Sequence, residues 1–269
     1  MATTLTLGSM LGFAAAALVL VVGARWLQLM QQVRIPEDTR GFVVACGLSA
    51  LLGIAALVLG AGVGGGIAAV VAVVGGGAFV ALSAASGQPA RTPAVTVGGP
   101  VVPFTATDAD GRPFDTASLR GRPFLLKFFR GHWCPYCTAE LRRWEELRLE
   151  LDARGIAIVT VCADTAEQIR AGRGKHGLRA TMVPDPALAI TDRYNLRSPK
   201  NFAPKPGVII PLPIPTTILV DATGTVRWID QATDYMRRSD PDRVLTAIRR
   251  TLDDEPQLST ATRASRARR

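Results

Sequence analysis

Between Arg40 and Arg91 the chain carries no Lys, Arg, Asp or Glu, and its first 24 residues carry none either. A fold in water needs polar side chains over its surface, so uncharged stretches of this length and apolarity point to lipid instead. A hydrocarbon core of about 30 Å takes roughly 20 apolar helical residues. The uncharged sequence therefore suits three crossings, at about 4 to 25, 41 to 60 and 66 to 84. A cleaved signal peptide is the alternative for the first, but it has no basic leading region and two more spans follow it. Gly60, Gly62, Gly64, Gly65 and Gly66 read as a tight hairpin between the second and third spans. Their four-residue spacings also suit close helix contact.

The formal net charge of +9 does not mark a nucleic-acid binder. Arg263, Arg266, Arg268 and Arg269 sit in the last seven residues with no acid among them, and no basic stripe crosses the remaining sequence. The tail, residues 256–269, reads as a disordered basic end suited to anionic lipid headgroups. Arg25, Arg34 and Arg40 lie in or beside the loop joining the first two spans, whereas the other hairpin has no basic residue. The inward bias of Lys and Arg then puts that loop and the region after the third span on the cytoplasmic side of an inner-type cell membrane. An extracytoplasmic placement is the alternative.

After a linker at residues 86–96, the stretch 97–255 is long enough for its own core. Pro123 to Phe129 is a nearly continuous apolar run, as in a strand covered on both faces. It hands over at Arg130-Gly-His-Trp-Cys134 to helical spacing from Pro135 to Arg154, stopped by Gly155. A second buried strand is expected at Ile156 to Cys162, and a polar helix at Thr165 to His176. A short strand at Ala180 to Val183 and a helix at Pro186 to Tyr194 follow. The proline-rich segment Asn195 to Pro215 reads as an irregular loop. A hairpin, Thr216 to Val220 with Thr225 to Ile229, turns at Asp221 to Gly224, and a last helix runs from Ser239 or Asp240 to Leu252. This alternation is an α/β sandwich around a mixed sheet.

Cys134-Pro-Tyr-Cys137 stands at a strand-to-helix junction. The unpaired N–H groups and dipole of a helix N-terminus favour a thiolate there, and the second sulfur comes within disulfide reach one turn on. Cys134 is the expected nucleophile and Cys137 the resolving thiol. Trp133 and Tyr136 offer an aromatic platform for an extended polypeptide or a small thiol. His132, Arg130 and Lys127 are the nearby cations that could tune the thiolate, with an exposed loop or strand-end residue as the plain alternative. Half a zinc site is the other use of such a pair. Only Cys46, Cys162, His132 and His176 remain as ligands, without a ligand pair, so no metal or cofactor is expected. Cys162 reads as a small core residue or an additional resolving thiol.

Trp133-Cys-Pro-Tyr-Cys137 resembles the thioredoxin-fold active site. FLLKFFRGHWCPYC, PIPTTILVDATG and DYMRRSDPDRVLTAI resemble the peroxiredoxin-like branch of the alkyl hydroperoxide reductase and thiol-specific antioxidant superfamily, over residues 97 to 253. The resemblance implies a thioredoxin-like fold, thiol, disulfide or hydroperoxide substrates, and a cis-proline at Pro215 facing the sulfurs with Thr216 beside it as a substrate contact. It also has departures. Lys127 and Gly131 occupy the positions of the Pro and the Thr or Ser that precede a peroxidatic Cys, Pro215 replaces an Arg at a strand start, and Phe128 replaces the buried Asp of thioredoxins. The hydrogen bonds that activate peroxide are thus missing from their usual places, and proton transfer falls to Lys127, His132 or water. The expected activity is membrane-anchored thiol-disulfide exchange with low hydroperoxide reduction. The other reading is a redoxin-fold subunit of a membrane complex with a structural Cys pair.

Overall fold

A computed structural model describes residues 6–36, 38–88, 91–202, 209–234 and 236–253. The basic tail at 256–269 lies outside the described residues. The chain forms two compact units, residues 1–87 and 88–269.

The first unit is three helices: α1 (Leu7–Gln32), α2 (Arg40–Val58) and α3 (Gly62–Ala84). Each is long and apolar enough to cross a membrane, the shortest reaching about 28 Å at the helical rise. Thr6 starts α1, its hydroxyl accepting from the Ser9 N–H at 3.2 Å. The helix runs a further two turns past the expected end, to Gln32.

α3 begins at Gly62 rather than residue 66, so the glycine cluster is mostly helix and the turn is confined to Leu59, Gly60 and Ala61. Small residues let these helices touch backbone to backbone. A Cβ on Gly12 would stand 2.3 Å from the Gly65 carbonyl oxygen, and one on Gly76 2.3 Å from that of Cys46. Gly66, in one of the four-apart pairs, meets nothing within 4 Å. Ser49 Oγ donates to the Ala15 carbonyl at 2.9 Å, which satisfies a hydroxyl in an otherwise apolar contact.

In the second unit, β1 (Thr105–Thr107) pairs with β2 (Pro113–Asp115). The main sheet holds β3 (Phe124–Phe129), β4 (Ala157–Cys162), β5 (Thr181–Pro184), β8 (Thr216–Val220) and β9 (Val226–Gln231), in the order β5-β4-β3-β8-β9. β3, β4 and β5 run parallel; β8 is antiparallel to β3 and to β9. This is a thioredoxin-like mixed sheet. β3 is buried along its whole length, and its pleat deals residues to two cores. Phe124, Leu126 and Phe128 join one with Tyr194, while Leu125 and Phe129 join the other with Cys134, Cys137, Leu141 and Trp144. By the same alternation Lys127 sits on the cysteine side.

Helices α4 (Pro135–Glu146), α5 (Arg148–Ala153), α6 (Ala166–His176), α7 (Ala189–Arg193) and α8 (Pro241–Ile248) surround this sheet. The single helix expected over 135 to 154 breaks at Leu147, which caps α4 and opens α5. Asn195 to Pro215 is a correction: it contains a hairpin of β6 (Arg197–Phe202) and β7 (Ile209–Pro213). Its prolines mask the strand signal, but a separate two-stranded ribbon has edges on which Pro is tolerated. From Gln88 on, the described part of the expected linker belongs to the second unit. Ala94 N donates to the Tyr194 carbonyl and Gln88 N to that of Thr233, both at 3.0 Å.

Candidate active site

β3 ends at Phe129, and the chain turns through Gly131 so that Cys134 becomes the N-cap of α4 with Pro135 in the first helical position. The Cys134 carbonyl takes the N–H groups of Cys137 at 3.1 Å and Thr138 at 3.0 Å, which starts the helix. No side chain caps this end, leaving its dipole for the sulfurs. Both cysteines are free thiols; Cys134 is 3% exposed and Cys137 fully buried. Trp133 above them is 37% exposed, and Tyr136 is half-buried.

The group on the sulfurs is Arg238, from the segment just before α8. One of its terminal nitrogens donates to Cys134 Sγ at 3.3 Å and Cys137 Sγ at 3.1 Å. Its guanidinium carbon lies 5.9 Å from the Tyr136 ring centre. Burial works against its charge, but the two sulfurs and Glu140 outweigh burial and hold it charged. Burial also pushes the Cys137 thiol up. The hydrogen bond from Cys134, the Arg238 charge and the Arg130 backbone N–H outweigh that and set Cys137 well below the ordinary thiol range. Cys134 is held well above it, first by sharing its proton with Cys137 and then by burial. The two sulfurs therefore titrate as one unit, losing one proton early and the second late. Moving the shared proton to Cys137 puts the charge on Cys134, the more exposed sulfur.

Beneath them lies a second set of buried charges. Lys127 Nζ meets Glu140 Oε1 at 2.6 Å and donates to Thr217 Oγ1 at 3.1 Å, with 1% and 0% of the Lys127 and Glu140 side chains exposed. Thr217 exchanges a hydrogen bond with Ser239 at 2.8 Å. Glu140 Oε2 stands 3.9 Å from Arg238 Nε. Burial raises the Glu140 carboxyl despite Lys127 and Arg238.

The expected tuning groups are thus distributed differently. Lys127 acts on Glu140. His132 is engaged by Asp164, whose Oδ2 accepts its backbone N–H at 2.7 Å and stands 2.9 Å from its Nδ1. Arg130 is buried rather than a solvated strand-end cation, and its backbone N–H supports Cys137. Pro215 is buried at the entry to β8, and the implied cis bond is corrected: no cis peptide occurs among the described residues. β7 leads almost directly into β8, so the chain needs no cis turn there, and trans is the lower-energy form by about 0.5–1 kcal/mol. Thr216 is also buried, with its hydroxyl donated to the Ile214 carbonyl at 3.0 Å.

Sequence reasoning missed Arg238 and Glu140. Arg238 lies 104 residues from Cys134, inside the DYMRRSDPDR stretch, with no local pattern to single it out. Glu140 had a signal: three residues after Cys137 it shares that residue's face of α4.

Among the described residues, His132, Cys162 and Asp164 are the one His, Cys and acid cluster whose ligating atoms fall within 4.8 Å of one another. Asp164 Oδ2 already serves two His132 nitrogens, and burial followed by the Asp164 charge holds the Cys162 thiol well above its ordinary range. Cys162 is accordingly a poor nucleophile and fits the core-residue reading.

Residues 97–229 match the AhpC/TSA family. The chain is 33% identical over 107 residues to the soluble secreted antigen MPT53 of Mycobacterium tuberculosis, covering 40% of this chain and 61% of that protein's length. It is 27% identical over 157 residues to the thiol-disulfide oxidoreductase ResA of Geobacillus kaustophilus, covering 58% of this chain and 80% of that one. A solved structure, peroxidoxin BcpB of Mycobacterium tuberculosis, shares the fold at a TM-score of 0.50 and 18% identity, covering 58% of this chain and 97% of that one. The second unit of this chain thus carries a domain of the AhpC/TSA family, on a thioredoxin-like fold and preceded by three apolar helices.

Proposed function

We propose that the chain is a membrane-anchored thiol-disulfide oxidoreductase in which Cys134 attacks and Cys137 resolves. The observation that carries this reading is the pair of free thiols at the start of α4 with one guanidinium donating to both. In exchange, the Cys134 thiolate attacks a substrate disulfide and expels one substrate thiolate, which takes a proton. Cys137 then attacks the Cys134 sulfur of the mixed disulfide, gives up its proton and releases the second substrate thiol. Substrate gains two electrons and the pair becomes a disulfide.

A hydroperoxide is the second substrate class. The thiolate takes its terminal oxygen and releases an alcohol; Cys137 then displaces that oxygen as water. Arg238 supplies from the α8 side the guanidinium that peroxiredoxins carry at a strand start, which supports a low peroxidase activity. Trp133 and Tyr136 form the rim against which the substrate rests.

The three apolar helices serve as a multi-pass anchor, and Arg34 and Arg40 between α1 and α2 favour a cytoplasmic redox unit. Oxidised glutathione offered to the full chain tests the roles. The Cys137→Ser variant should accumulate a mixed disulfide on Cys134, and the Cys134→Ser variant none. An equally rapid adduct on Cys137 in Cys134→Ser would reverse the assignment. Alkaline phosphatase fused after Glu255 should be inactive, and strong phosphatase activity would move the unit outside.

A further inference from the structure

Arg238 treats the two redox states of the pair unequally. Its terminal nitrogen reaches both sulfurs, at 3.3 and 3.1 Å, from a side chain only 2% exposed. A hydrogen bond from a guanidinium to a thiolate is charge-assisted, and burial strengthens it. A disulfide is neutral and a weak acceptor, so the same contact returns much less once the bond forms.

The other groups packed on the pair do not cancel this preference. From β3 comes Lys127, from α4 Glu140, and from β8 Thr217, with Ser239 beside Arg238. The only anion among these side chains is Glu140, which is matched by Lys127 at 2.6 Å and approaches Arg238 no nearer than 3.9 Å. At the end of β4, Asp164 is engaged by His132.

We propose that Arg238 makes Cys134–Cys137 an oxidising pair, so that an ordinary low-molecular-weight monothiol is the reductant that resets it. This rests on the reading of the pair as redox-active. Two thiols, RSH, deliver two electrons: the first attacks the disulfide and the second attacks the resulting mixed disulfide. The products are RSSR, one proton, and a pair holding one thiol and one thiolate. A specialised dithiol donor of low potential is unnecessary, because stabilising the thiolate draws the exchange toward the reduced pair.

The test is the equilibrium of the detergent-solubilised full chain with reduced and oxidised glutathione, read by quenching and mass spectrometry. Arg238→Met should lower the constant for reduction at least tenfold, a shift of about 30 mV, and Arg238→Lys should fall between it and the parent. Glu140→Gln, which removes the negative charge beside the pair, should move the constant the other way, and Arg238→Lys, which keeps a cation at the sulfurs, keeps the test open if Arg238→Met fails to fold. Near neutral pH the parent constant should change tenfold per pH unit, as for one proton released on reduction by RSH in the form above, once the glutathione thiol is counted as protonated. Unchanged constants in Arg238→Met and Glu140→Gln overturn the proposal while leaving the pair redox-active. A disulfide that never exchanges with glutathione sinks the oxidoreductase reading itself.

Discussion

The helical unit and the redox unit bury polar chemistry in opposite ways. In the first, the closest helix approaches are made by Gly, Ala and Ser, beside the Trp26, Phe42 and Phe79 ring cluster, and buried hydroxyls donate to backbone carbonyls, as from Ser9 to Ala61 at 3.0 Å and from Ser49 to Ala15 at 2.9 Å. In the second, a lysine, a glutamate and an arginine are buried beneath one pair of thiols. Helices that meet in lipid gain little from apolar burial against each other and rely on close backbone approach, for which small residues suffice. A buried ion pair is a weak source of net stability and a large liability when half of it is removed. The place of the Lys127–Glu140 pair next to Arg238 and the thiols ties it to the chemistry there.

Three sets of substitutions sharpen or break that contrast. Lys127→Met, which strands Glu140 in a dry core, should cost about 3–5 kcal/mol of unfolding free energy. Lys127→Met with Glu140→Met should recover most of that loss, since neither charge then remains; chemical denaturation of the parent, the two single variants and the double variant measures the coupling. Additive losses would mean that the two side chains do not act as a pair.

In the helical unit the largest effect expected is smaller. Gly76→Val places a side chain against the Cys46 carbonyl, 2.3 Å from the added Cβ, and should cost about 1–3 kcal/mol as α2 and α3 are pushed apart. Gly66→Ala, with nothing within 4 Å, should cost nothing and gain up to about 1 kcal/mol from helix propensity, as read by thermal unfolding of both variants. Equal effects at the two sites would remove close backbone approach as the organising device of this unit.

The smallest effect belongs to a peripheral charge cluster. Burial pushes the Glu145 carboxyl up, but Arg148 and Arg179 outweigh it and set it below the ordinary range. A carboxyl lowered on folding adds stability above its unfolded value of about 4.3 and loses it as pH falls through the folded value. Glu145→Gln should therefore cost about 1 kcal/mol at pH 7, with the difference from the parent fading in acid. A difference that stays constant down to pH about 3 would assign the loss to packing instead of charge.

Much of the fold was legible because it is written in local pattern. The uncharged stretches mark α1 to α3, the unbroken apolar run marks β3, and Cys134-Pro-Tyr-Cys137 after that run locates the start of α4. Patterns failed where neighbours in space overrode them. Prolines hid the β6–β7 hairpin, and helical spacing carried α4 through Leu147 into α5 because the periodicity does not register a cap in mid-run. The start of α3 at Gly62 follows from helix contact, which offsets the poor helix propensity of glycine.

At the site, sequence alone determined that two sulfurs stand together at a helix start, since that depends on residues adjacent in the chain. Only the tertiary structure decided what charge they meet. Arg238 reaches the sulfurs from 104 and 101 residues away, and Lys127 joins Glu140 across the gap between sheet and helix. Electrostatic contacts follow distance in space and the dryness of the site. Neither is encoded in the spacing of residues along a strand or a helix.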